Sequence, residues 1–423
     1  MKKTLMLSVT SLLVIGLVGC SDQKADSDQS AGTTKGKATT VSPPKPVTIK
    51  IASTSDVAYK LLVDAVAKKY PHITLQSIKY KDNNFSEMLA SGDRPDLIEV
   101  GPGGVNSMQL AGLDTDHRAL IKESDFDFSK FKDGILDYPM QFSQDRNKLV
   151  AMYMIPSLYA MYYNKDLFDR FAIAYPKDGL TWNESIDLAR RLTATEQGIV
   201  YRGIQVGNLY DPKSQLNEHY IDPVTDKSAV NTPGWKMVFE TLGKMYQIPG
   251  NVKESSASKA FTDKRLALFP DGNRVAAFAA IPDLNWDMTT YPVFESRRGY
   301  GPSLAGTLLA VTSISENKSE AFKVAMVAFS NEIQEQLAKE AKATAIKGFD
   351  PFFAKGIAGV ESKNLLAVSQ QKAGNPHGAV RYKSMVDIVN TAFDEYVANV
   401  KDVNTALREV DDLVNPWLKQ NPK

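Results

Sequence analysis

From Val47 onward the chain moves between two hydrophobic rhythms. Val47-Thr-Ile-Lys-Ile-Ala52 alternates apolar and polar positions, the period-two pattern of a half-buried strand. Ser53-Thr-Ser-Asp56 follows as a polar loop that ends in a residue suited to cap a helix. Ala58, Leu61, Leu62, Ala65 and Val66 then recur at helical spacing, and Pro71 stops the run. Ile73–Tyr80 returns to strand character. Asn84–Ala90 predicts a short helix and Asp96–Val100 a third strand. A β-α-β-α-β order predicts a mainly parallel sheet covered by helices.

The same grammar resumes later. Leu149–Met154 and Ala160–Tyr163 read as strands. Thr181-Trp-Asn-Glu184 is a capping box that opens a helix through Leu192. Ala321, Phe322, Ala325, Met326 and Phe329 share one helical face. Tyr382, Met385, Val386, Val389, Phe393, Tyr396 and Val397 form a long apolar stripe, and Ala406, Leu407, Val410, Leu413 and Val414 another. No internal repeat of fixed period is present. One sheet-centred core of ~380 residues would exceed the size to which cores usually grow. The expectation is therefore an α/β protein of two lobes, each a mainly parallel sheet flanked by helices. The ligand cleft would lie between the lobes, beyond the carboxyl ends of the strands.

The residues before Val47 differ in kind. Lys2 and Lys3 precede a mostly apolar stretch, Thr4–Val18, which is too short to span a bilayer comfortably. Leu17-Val18-Gly19-Cys20 resembles a bacterial lipobox. On that reading residues 1–19 are a lipoprotein signal peptide and Cys20 carries the lipid. Residues 20–46 would be the lipidated cysteine and its tether. Ser21–Pro46 holds almost no large apolar residue, too few to offset its ordering entropy. As a flexible chain it would reach roughly 25–31 Å from the membrane.

Composition narrows the chemistry. The chain has 423 residues, 43% of them hydrophobic and 23% charged, which is ordinary for a globular protein. Lys+Arg is 50 and Asp+Glu is 49, a balance that argues against nucleic acid as the main partner. Cys20 is the single cysteine, so no intrachain disulfide forms, and the 4 histidines are scattered with no metal-ligand spacing. No nucleophile elbow, zinc-protease helix, phosphate-binding loop or dinucleotide fingerprint appears. The expectation is a protein with no cofactor, no metal and no catalytic residue. Glycoside hydrolysis needs only two carboxylates and stays open as a rival.

Several segments carry a family resemblance. SGDRPDLIEVG (91–101), Met161-Tyr-Tyr-Asn-Lys-Asp-Leu-Phe168, Thr181-Trp-Asn-Glu184, the stretch 308–340 and Val403-Asn-Thr-Ala-Leu-Arg-Glu-Val fall in order behind the lipobox. Together they resemble extracellular solute-binding lipoproteins of ABC importers, of the maltose-binding type (family 1, sugar type), over residues 47 to 418. The resemblance implies a first lobe of residues 47–141 plus 309–345 and a second of 145–302 plus 350–423. Hinges would lie near Phe142, Ser303 and Lys347. It implies a monomer, lipid-anchored on the extracellular face of a bacterial cell membrane, that closes on a mono- or oligosaccharide. It would deliver that solute to the transmembrane subunits of an ABC permease. The same fold could instead hold a polyamine, an oxyanion or an organic acid.

Candidate ligand residues follow from position. Asp56 stands after the first strand and Glu99 near the end of the third. Tyr159 precedes the Tyr-Asn-Lys turn. Tyr210 and Asp211 lie in a loop that matches a ligand-contacting region of the family. Asn273 and Arg274 follow Pro270-Asp-Gly272, and Tyr382 opens the long C-terminal stripe. Such residues suit a sugar, which needs fixed donors and acceptors together with flat aromatic faces. Trp182, Trp235, Trp286 and Trp417 are read as packing residues.

Overall fold

Alternation at the start of the body produces β1 (Val47–Ser53), and β2 (Ile73–Lys79) and β3 (Leu97–Val100) follow it. The helix Val57–Lys69 joins the first two and buries Ala58, Leu62 and Val66 against them. In chain order there follow β4 (Met152–Pro156), β5 (Tyr159–Asn164), β6 (Ala194–Glu196), β7 (Ile199–Ile204), β8 (Leu266–Gly272), β9 (Trp286–Thr289), β10 (Tyr300–Ser303), β11 (Gly306–Val311) and β12 (Lys372–Gly374). The structure is a computed structural model that describes residues 44–81, 83–141, 147–222, 224–374 and 384–421. Cys20, Phe142 and Tyr382 lie outside those residues.

Two five-stranded sheets organise the chain, in the orders β2-β1-β3-β11-β4 and β6-β7-β8-β5-β9. A two-stranded ribbon joins β10 to β12. Helices flank both sheets, which gives the two-lobed α/β architecture expected. The strand directions need a correction. In the first sheet β1, β2, β3 and β4 run one way and β11 runs against them. In the second, β7, β8 and β9 oppose β5 and the short edge strand β6, so this sheet is mixed rather than mainly parallel. The reversed strands have a common cause. β11 and β5 are each the first strand after the chain enters a lobe, so neither is fed by the helical crossover that makes neighbours parallel. β6 simply folds back on β7 as a hairpin.

The lobe boundary also moves. The sequence reading allots residues from 145 onward to the second lobe, yet β4 pairs with β11 in the first sheet. Met152, Tyr153 and Met154 are fully buried in the first lobe's core. Between β4 and β5 the chain therefore passes from the first sheet to the second at Ser157–Leu158. It returns at Leu304–Ala305, and a third passage lies between Phe349 of the first core and Ala354 of a core on the second sheet. Trp182, Trp235 and Trp286 are packed inside the second lobe, and Trp417 is partly buried against its core.

One buried histidine stitches the first lobe together. His117 Nδ1–H donates to the Leu149 carbonyl at 2.7 Å, and Nε2 accepts from the Val311 N–H at 2.8 Å. Only a neutral ring can do both. Burial pushes its pKa down from 6.5 to about 4. Because the folded value lies below the unfolded one, the contribution is complete above pH 6.5 and lost as the pH falls towards 4. The loss should reach about 3 kcal/mol. Urea unfolding at pH 7 and pH 4.5 should show it, and His117→Gln should flatten that dependence. An equal slope in the variant would assign the effect to other groups.

Candidate functional site

A cavity of about 430 Å³ opens where the chain passes between the lobes. Ser157, Leu158 and Tyr159 line it from the first crossing, and Gly301, Pro302 and Leu304 from the second. Lys347, Gly348 and Asp350 line it beside the third. Its charges are largely matched from within: Lys132 pairs with Asp350 at 2.6 Å and Lys347 with Asp133 at 2.8 Å. Lys372 stands exposed at the rim.

Tyr159 connects this cavity to the polar interior of the second lobe. It is the first residue of β5, paired with Gly272 at the end of β8. Its side chain lies beside Ser157 and the Asp211 carboxyl. Burial, followed by the nearby Asp211, Tyr210 and Tyr153, holds its hydroxyl far above the ordinary tyrosine range. Tyr153 belongs to the first lobe, so aromatic hydroxyls from both lobes meet here. Tyr291 packs edge-on to Tyr159, their ring centroids 5.9 Å apart.

Asp211 is buried in the short helix Tyr210–Gln215. Asn208 Oδ1 accepts from its N–H at 2.9 Å, and Asn208 Nδ2 donates to its carboxylate at 3.0 Å. Burial pushes the Asp211 carboxyl up to about 7. The Asn208 bond opposes that shift and the nearby Asp271 adds to it. Asp271 is itself claimed, since Arg274 Nε donates to it at 2.7 Å. Gly207 lets the chain pass close by: a Cβ there would sit 2.7 Å from Asp271 Oδ1. The structure thus gathers Tyr159, Tyr210, Asp211 and Arg274 at one end of the second sheet. Asn273, on the same loop, donates to the Ala341 carbonyl at 2.5 Å.

Asp56 and Glu99 form a separate group on the first sheet. Glu99 Oε2 accepts from the Ala58 N–H at 2.7 Å and Oε1 from the Ser55 hydroxyl at 2.5 Å. A strand residue therefore caps the helix Val57–Lys69, satisfying a donor that a helix start leaves free. Asp56, placed by sequence to cap that helix, makes no side-chain cap bond and adopts a left-handed φ of 57°. Its carboxylate turns to Lys79 and Ser77, which hold it below the usual range.

Position along the chain did not single out Tyr138, Tyr153, Ser157, Ser214 or Asp271. Tyr138 and Tyr153 precede the crossing and look like strand or helix packing. Ser214 has no local signature at all. Among the described residues there is no group of three or more His, Cys, Asp or Glu that could hold a metal, and no helix long and apolar enough to cross a membrane.

Comparison with known proteins adds three findings. Residues 52–335 match the family model of bacterial extracellular solute-binding proteins. No curated protein sequence matches the chain. Among solved structures, the chain is similar to an ABC substrate-binding protein of Listeria monocytogenes in complex with cycloalternan. That match has a TM-score of 0.70 at 20% identity and covers 89% of this chain and 100% of that one. It is also similar to a cyclic α-maltosyl-1,6-maltose binding protein of Arthrobacter globiformis, with a TM-score of 0.71, 16% identity, and 89% and 100% coverage. The sugar-binding protein MalE of Xanthomonas citri gives a TM-score of 0.71 at 16% identity, with 89% and 98% coverage. Matches at this identity establish a shared fold.

Proposed function

The chain belongs to the bacterial extracellular solute-binding proteins, and from that premise we propose that it captures a mono- or oligosaccharide between its lobes by hinge closure. The observation that carries the sugar is charge bookkeeping at the crossings. Lys132, Lys347 and Arg274 each face an aspartate, Lys372 stands apart at the rim, and the Asp211 carboxyl is held by Asn208. A polyamine would need free carboxylates, and an oxyanion would need several converging cations, whereas Lys372 stands singly at the rim. Besides Lys372, what remains for a solute is a set of tyrosine and serine hydroxyls, amides and aromatic faces. That set suits a neutral polyol, since an analogue lacking the matching hydroxyl leaves buried polar groups unpaired.

In this reading Tyr159, Tyr210 and Asp211 contact the solute from the second lobe, with Asn273 and Arg274 nearby, and Tyr382 is assigned to the solute on the sequence resemblance alone. Asp56 and Glu99 shape the facing edge of the first lobe. The protein acts as a monomer without cofactor, metal or chemistry of its own. Cys20 is lipidated after loss of residues 1–19 and holds the protein at the extracellular face of the cell membrane. The closed form presents the solute to an ABC permease. Closure requires that the solute bind the closed form better than the open one.

A thermal-shift screen tests the substrate class. A cognate saccharide at 100 times its dissociation constant should stabilise the protein by about 2.7 kcal/mol. Chromatography of the recovered saccharide should find it intact. A shift with polyamines or carboxylates and none with sugars would overturn the carbohydrate reading, and cleaved saccharide would make the protein a hydrolase.

A further inference from the structure

The helix Asn331–Lys339 belongs to the first lobe by its packing. Ile333, Leu337 and Ala338 lie in the first core. Gln334, fully buried on the same helix, accepts from the Ala345 and Ile346 N–H groups at 2.9 Å and 3.3 Å and ties the following loop to that lobe. A helix end leaves its last carbonyls without partners. Here the chain turns sharply at Ala341, whose φ is 58°. The Ala341 and Lys342 N–H groups then satisfy the Ala338 and Leu337 carbonyls at 2.9 Å and 2.8 Å.

That turn reaches across to the other lobe. Ala338 and Ala345, on either side of it, sit in the first core. Ala341 itself is fully buried in a core on the second sheet, the one that holds Phe261, Val275 and Phe278. Its carbonyl accepts from Asn273 Nδ2 at 2.5 Å. Asn273 follows the end of β8, and its Oδ1 accepts from the Val275 N–H at 3.1 Å, at the start of the helix Val275–Ala279. The two bonds use both ends of the amide and fix its orientation. The preceding Gly272 pairs with Tyr159, so this contact lies beside the first crossing.

One end of the Asn273–Ala341 bond is thus fixed to the second sheet and the other to the first core. Rotation between two rigid parts changes the length of any bond that joins them, unless the axis passes through it. A hydrogen bond is lost once its atoms separate beyond about 3.5 Å. The same rotation draws the Ala341 methyl from its seat in the second lobe. We propose that Asn273 is a positioning residue: with the Ala341 turn it forms a latch that favours the lobe arrangement described. The proposal deepens the hinge-closure reading and rests on it. The latch sets the population from which a solute must shift the lobes.

The test is a distance measurement on solute-free protein. Fluorescent labels are placed at Leu110→Cys and Met237→Cys, exposed positions on opposite lobes, in the full chain carrying Cys20→Ser. Asn273 is exposed, so its replacement leaves the core intact. Asn273→Asp keeps an acceptor for the Val275 N–H and, at neutral pH, offers no donor to the Ala341 carbonyl. It should move the ratio of the two inter-lobe populations away from the described arrangement at least about threefold. Ala341→Gly suits the φ of 58° and removes only the methyl. It should move the ratio the same way, about fourfold, without lowering the melting temperature. Asp402→Ala removes the cap of the last helix, so it should lower the melting temperature and leave the ratio alone. If Asn273→Asp leaves the ratio as it is in the parent, the bond is structural only and the proposal fails. Should that variant not fold, Ala341→Gly decides by itself. No sugar enters the measurement, so a failed sugar screen and a failed latch are separate results.

Discussion

Gly306→Ala should destabilise the protein by about 4 kcal/mol. Gly306 opens β11, pairs with Pro156 and has a φ of 122°, a conformation that side-chain-bearing residues rarely adopt. A Cβ there would stand 2.2 Å from the Ile155 carbonyl oxygen and 3.0 Å from the Ser157 nitrogen. These are backbone atoms of β4 and of the first crossing, which cannot swing aside as a flexible side chain can. Backbone strain contributes about 1–3 kcal/mol and the forced separation of the strands a similar amount. Urea denaturation of the solute-free protein measures the sum. A loss below about 1 kcal/mol would mean that the crossing yields far more readily than its hydrogen bonding implies.

Asp211→Asn should stabilise the protein at alkaline pH while weakening solute capture. The folded pKa, about 7, lies above the reference value of 3.8. The contribution of the protonated acid is therefore complete below pH 3.8 and lost as the pH rises through about 7. Full conversion of that shift would approach about 4 kcal/mol. The amide cannot reproduce the carboxylate's bond to Asn208 in full, so a gain of about 2 kcal/mol at pH 8 is expected, with none at pH 4. Melting curves at the two pH values check the sign. If Asp211 contacts the solute as proposed, the cognate saccharide should bind at least about tenfold more weakly to the variant. Unchanged affinity would move Asp211 out of the site and leave the stability prediction standing. A gain of stability together with a loss of affinity would mark an acid kept for binding at the expense of stability.

The fold was readable where periodicity and punctuation agree. The β1–helix–β2 unit falls within a residue or two of the alternation at Val47, the stripe from Ala58 and the stop at Pro71. The capping box at Thr181 forms in both its halves. The direction and membership of strands were less legible. Whether β4 joins the first or the second sheet depends on its pairing with β11, some 150 residues away, and no local pattern carries that information. The reversal of β5 and β11 has the same origin.

The site divides along a similar line. Tyr159, Tyr210 and Asp211 could be singled out from their places beside strand ends and loops. Their proximity to one another, and the part of Tyr138 and Tyr153 from the other lobe, depend on the crossings. Asp56 illustrates the opposite case. Sequence makes it a natural helix cap, but Glu99 reaches that helix from the neighbouring strand and fills the role, leaving Asp56 to Lys79 and Ser77. A local propensity was displaced by a tertiary donor–acceptor pair that it could not anticipate.

The central place of β11 has a consequence for biogenesis. It lies between β3 and β4, so the first sheet lacks an interior member until Val311 has emerged from the ribosome. Vectorial folding of the amino-terminal half is thereby denied, and closure of the sheet waits on a long-range contact that forms slowly. A nascent polypeptide with this topology stays unfinished through most of its translation.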